Sequence, residues 1–111
     1  MKKNKAKLVA VRYIGNPIGN CMGVCLVGKG APPRIDIQHG CYGLIDVANL
    51  TSNSFADYWY GYWLVNDEEG KTWGGYKSVM ATEVMPICPQ WIKPHEMRLL
   101  RRVHKAANTP C

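Results

Sequence analysis

Three cysteines and a histidine, Cys21, Cys25, His39 and Cys41, are the side chains of this chain best suited to hold a metal ion. Structural zinc is bound by thiolates and imidazoles in fours, commonly from C-x2-C pairs that bring two sulfurs to one ion from a tight turn. Here three residues separate Cys21 from Cys25, and His39 with Cys41 makes a second irregular pair. The four converge only if the strands that carry them pair. The plainer alternative is that Cys25 and Cys41 are small apolar residues in strands, a role free cysteine fills readily. That reading is taken: no metal and no cofactor are expected, and a structural zinc-binding module stands as an alternative.

Catalytic spacing is missing as well. The chain contains no G-x-S-x-G, no H-E-x-x-H and no P-loop. His39 and Cys41 form an i, i+2 pair, which chance produces often. A nucleophilic cysteine needs a lowered pKa and an oriented base, neither of which this spacing supplies. No catalytic residue is assigned, and the chain is read as non-enzymatic.

Binding chemistry is better represented. Residues 58–67 read YWYGYWLVND, with five aromatic residues in six positions. Side chains alternate across a strand, so Trp59, Gly61, Trp63 and Val65 share one face, and Tyr58, Tyr60, Tyr62 and Leu64 share the other. The indole face reads as core. The tyrosine face suits two uses: stacking on unpaired bases, or packing beneath a helix with hydroxyls left wet.

Charge is concentrated toward the two ends. The net charge is +6 over 111 residues, and the first twelve hold Lys2, Lys3, Lys5, Lys7 and Arg12 without an acid. Residues 93–105 hold Lys93, Arg98, Arg101, Arg102 and Lys105 against Glu96, whereas residues 13–92 hold seven acids and four bases. Basic ends of this kind attract phosphates without reading sequence. Nucleic acid or a nucleoprotein complex is therefore the expected partner. Lys2, Lys3, Lys5, Lys7, Tyr58, Tyr60, Tyr62, Arg98, Arg101, Arg102 and Lys105 are the candidate contacts. The rival is a host protein, bound in the manner of small phage or mobile-element inhibitors and adaptors, because Tyr, Trp, Met and Arg are also the residues of protein interfaces.

Those residues need a scaffold. A chain of 111 residues that is 47% hydrophobic and 20% charged fits one folded domain, 1–111. No apolar run is long enough to span a bilayer, and the first sixteen residues lack the h-region of a secretory signal. With an odd count of five cysteines, reduced thiols and a cytoplasmic location are expected. After a flexible basic tail, 1–5, strands are predicted at residues 6–14, 22–28 and 42–47. Between the last of these and the aromatic strand lies a polar loop, 48–57. The aromatic strand then turns at NDEEG into KTWGGY, and one helical turn leads to a short strand at 84–87. Helical spacing of Met97, Leu100, Val103, His104 and Ala107, with Pro94 at the first position, predicts a basic amphipathic helix over 94–108.

The order GLIDV, then YWLVNDEEGKTWGGY as a hairpin, then the turn SVMATE before VMPI, resembles SH3-like or KOW-type small β-barrels over residues 43–87. The resemblance covers less than half the chain, and the 48–57 loop and the PPR stretch depart from it. It implies a partly open barrel of about five strands, of a kind used to bind nucleic acid or a protein segment. The expected fold is mainly β: a small SH3-like partly open barrel or twisted antiparallel sheet over 6–87, with one C-terminal amphipathic α-helix.

Overall fold

The computed structural model describes residues 5–15, 23–52 and 57–108. Lys2, Lys3 and Cys21 lie outside these, as does most of the tail at 1–5. Seven strands form one open antiparallel sheet in the order β3-β2-β6-β5-β4-β1-β7. They are β1 Leu8–Tyr13, β2 Val24–Val27, β3 Arg34–Ile35, β4 Tyr42–Ser52, β5 Asp57–Asn66, β6 Thr72–Tyr76 and β7 Val84–Pro86. A 3-10 turn at Ala81–Glu83 leads into β7, and another at Pro89–Trp91 leads into the single helix, α1, Pro94–Ala107. The mainly β body with one C-terminal helix is as the sequence predicts. The strand number exceeds the five implied by the barrel resemblance, and β1 to β3 all precede the resembling stretch.

Both faces of the aromatic strand are core. On the inner face, Trp63 and Val65 pack with Val11, Tyr13, Val24, Ile37, Ile45 and Val79. Residues of β1 and β2 share this cluster although three strands separate them in the sheet, so the sheet curls around it. Trp63 is fully buried, and its indole meets Tyr13 edge-on at 5.7 Å between ring centroids. The glycine inside YWYGYW makes room for it: a Cβ at Gly61 would meet the Trp63 Nε1 at 2.6 Å, and one at Gly43 on β4 would meet its Cε3 at 2.5 Å.

The outer face of β5 is covered by α1. Tyr62 and Leu64 pack with Ala10, Leu44, Ile92, Leu100 and Val103, and Tyr60, Met97 and Leu99 border the cluster. Of the two uses open to the tyrosine face, Tyr62 takes packing beneath a helix, and Tyr60 borders that packing. The helix comes close because β6 presents Gly74, where a Cβ would meet the Val103 Cγ2 at 2.5 Å and the Leu99 Cγ at 3.0 Å. Glycine in a strand ordinarily costs stability relative to alanine. At this position the sign reverses. Gly74→Ala overpacks a stiff, buried valine and lowers stability by about 1–3 kcal/mol, measurable by urea denaturation.

The polar loop expected at 48–57 is corrected over 48–52 and at 57, and residues 53–56 lie outside the described residues. Strand β4 continues to Ser52, and β5 starts at Asp57. Asp46 pairs with Tyr60 but Leu50 pairs with Trp59, so Val47, Ala48 and Asn49 form a bulge. Its polar character has a local cause. The buried Asp46 carboxylate accepts hydrogen bonds from the backbone N–H groups of Lys7 and Ala48, each at 3.1 Å, and from the Asn49 side-chain amide at 2.9 Å. A bulge looks like a loop in sequence because its residues escape the two-residue alternation.

Candidate functional site

The helix stands between Tyr62 and the cations of its outward side. Tyr62 is 1% exposed, its ring lies edge-on to His104 at 5.0 Å, and its hydroxyl accepts a hydrogen bond from the Asn108 side chain at 2.9 Å. Burial pushes its phenol up from the ordinary tyrosine pKa. Tyr62 therefore anchors the helix C-terminus and offers no ring to a ligand. Tyr60 borders the same cluster, and Tyr58, like Tyr60, is half-buried at the start of β5.

The helix fixes the cations outward. Leu100 and Val103 are fully buried against the sheet, and Leu99 and Met97 flank them. With 3.6 residues per turn, this places Arg98, Arg101, Arg102 and Lys105 within roughly 100° of arc on the opposite side. All four are exposed. The only helix acid, Glu96, is spent at the first turn, where its carboxylate accepts the Lys93 backbone N–H at 3.1 Å. Lys5 and Lys7 are also exposed and precede β1. They stand at the sheet end where β4 bulges and β5 begins, toward which the C-terminal turn of α1 points through Asn108 and Tyr62. Lys5 and Lys7 thus lie toward the same sheet end as the C-terminal turn of α1, whereas Arg12 and the start of α1 lie toward the other.

Acids gather at the other end. The β5–β6 hairpin and β3 border an open groove that carries Asp36, Asp67, Glu68 and Glu69 beside Arg34 and Lys71. Asp67 is engaged by its own turn: it accepts hydrogen bonds from the Trp73 indole and from the backbone N–H groups of Lys71 and Glu69, each at 2.9 Å. These bonds, the indole's foremost, hold its carboxyl below the usual aspartate pKa.

The described metal candidates, Cys25, His39 and Cys41, are not brought together into one group. Val24 and Leu26 of β2 face the inner cluster, so Cys25 between them points to the opposite side of the sheet. Cys41 packs against the inner cluster, and burial pushes its thiol up. His39 is exposed. Among the described residues no three His, Cys, Asp or Glu side chains gather into a metal-holding group. The expected result is that a chelator leaves the melting temperature unmoved and that purified protein carries no stoichiometric zinc by elemental analysis. Zinc lost on replacing Cys25 and Cys41 would reverse this assignment.

One aromatic residue that sequence reasoning passed over stands out. Trp91 is 59% exposed, the most of any large apolar side chain among the described residues, and its ring tilts against Tyr42 at 6.5 Å. The signal was present in PQWIKP. Prolines on either side allow only one short turn, and that turn can send only one of Trp91 and Ile92 inward. No helix of the described residues is long and apolar enough to cross a membrane. Comparison with protein-family models, curated proteins and solved structures finds no significant match to this chain.

Proposed function

We propose that this is a non-enzymatic binding protein that contacts nucleic acid, alone or within a nucleoprotein complex, through the outward face of α1. The observation that carries the reading is the group of four exposed cations on a helix whose other side is locked to the sheet. A rigid row of this kind neutralises phosphates at little ordering cost, and release of condensed counterions supplies the free energy. Lys5 and Lys7 extend the positive surface at the sheet end near the helix C-terminus, while the acidic hairpin lies at the far end. Backbone-directed contacts of this sort carry affinity without sequence preference. Free thiols at Cys25, Cys41 and Cys88 fit a reducing compartment such as the cytoplasm.

The test is a salt titration of single-stranded and duplex oligonucleotides against the full chain. Binding is expected at low salt, with log K falling linearly as log salt rises. No detectable binding at low salt overturns the proposal, because phosphate attraction is strongest there. Exposed Leu50, Met85 and Ile14 favour a second reading, in which a protein partner is bound instead. A pull-down with and without nuclease separates the two.

A further inference from the structure

We infer that Trp91 is a stacking platform for an unpaired base, which makes single-stranded nucleic acid the preferred ligand of the surface proposed above. The inference rests on that nucleic-acid reading and adds the strand state to it. An indole in water is costly, since most of its value in a fold comes from burial. Here the fold holds it out. Pro89 opens the 3-10 turn at Pro89–Trp91, and Pro94 opens α1. The turn is closed by hydrogen bonds from the Trp91 N–H to the Cys88 carbonyl at 3.0 Å and from the Ile92 N–H to the Pro89 carbonyl at 3.1 Å. Ile92, 4% exposed, takes the inward position. The inward position at this turn is therefore filled, and Trp91 stands outside it. Its ring is braced by Tyr42, which limits the motion lost on binding.

The surroundings supply cations for the phosphates of a strand whose base stacks on the ring. Lys93 is exposed two residues on, at the foot of the cationic row on α1. Arg12 pairs with Tyr42 in the β1–β4 ladder and projects from the same face, because Val11 and Tyr13 on either side of it face the inner cluster. An aromatic plane beside cations is the arrangement that takes single strands: the ring stacks on a base, and the cations follow the backbone. In a duplex the bases are already stacked, so the ring has no such partner.

The test compares an oligothymidine with a blunt-ended, loop-free duplex of equal charge, each labelled and titrated by fluorescence anisotropy over a series of salt concentrations. Trp91→Ala should weaken oligothymidine binding roughly tenfold, leave duplex binding unchanged and leave the salt slope of both unchanged. Trp91→Phe keeps a ring and should retain most of the affinity. Equal loss for both ligands, or no loss for either, overturns the inference while leaving the phosphate-binding reading intact. Failure of the unaltered protein to bind either ligand at low salt overturns both. A partner protein that survives nuclease treatment and is lost with Trp91→Ala also overturns the inference. Because the side chain is exposed, the melting temperature of Trp91→Ala should match the parent, and the comparison is then free of unfolding.

Discussion

Replacing Trp63 by alanine should lower the stability of the fold by about 3–5 kcal/mol, read as a shift in the urea midpoint without a change in slope. Three losses contribute. The indole is fully buried, so its apolar surface and a large volume go together. The edge-on contact with Tyr13 is lost. The Lys77 carbonyl, which accepts the indole N–H at 3.1 Å, is left without that donor. Relaxation into the space is limited, because Gly43 and Gly61 offer no side chains to fill it. Domains of this size are stable by only about 5–15 kcal/mol, so one substitution removes a large share. Unchanged denaturation would mean that the indole face does not lie in the core.

The second large effect falls on binding and spares stability. Replacing Arg98, Arg101, Arg102 and Lys105 together by glutamine removes four exposed positive charges while keeping good helix formers. If all four sit on phosphates of a single strand, the slope of log K against log salt should flatten by roughly three. Near 50 mM salt, affinity should drop by two to three orders of magnitude, on the order expected when that many counterions are no longer released. The melting temperature should move little, because exposed positions away from packing contacts contribute little to stability. A slope that stays put would show that the phosphates lie elsewhere, with Lys5 and Lys7 the next positions to replace.

The helix and the two-sided aromatic strand were legible in the sequence for one reason: both are local patterns. Met97, Leu100 and Val103 recur at helical spacing, and Pro94 marks where the helix begins. The near-continuous apolar run of YWYGYWLV, in place of clean alternation, is what a strand buried on both faces produces. Which buried face lay under α1 was not local. It depends on Gly74 letting Val103 approach β6, and nothing in KTWGGY announces a helix thirty residues later. The β4 bulge was hidden for a related reason. Asp46 satisfies backbone groups 39 residues away as well as nearby, so a stretch with loop composition becomes part of a strand. For the candidate site, composition identified the cations and the tyrosines, of which Tyr62 lies beneath the helix while Tyr58 and Tyr60 are half-buried. The exposed aromatic was the less conspicuous Trp91, because exposure is decided by which neighbour the core accepts.

The two edges of the sheet limit how a partner can be met. On one side the last strand is β3, two residues long and preceded by Pro32 and Pro33. On the other it is β7, three residues ending in Pro86. Each proline lacks the N–H that a further strand would need, and neither edge is long enough to template one. Recognition by strand addition, in which a peptide extends the sheet through main-chain hydrogen bonds, is therefore closed to these edges. The same brevity keeps copies of the chain from joining edge to edge. A partner that meets either of these edges must be held there by side chains.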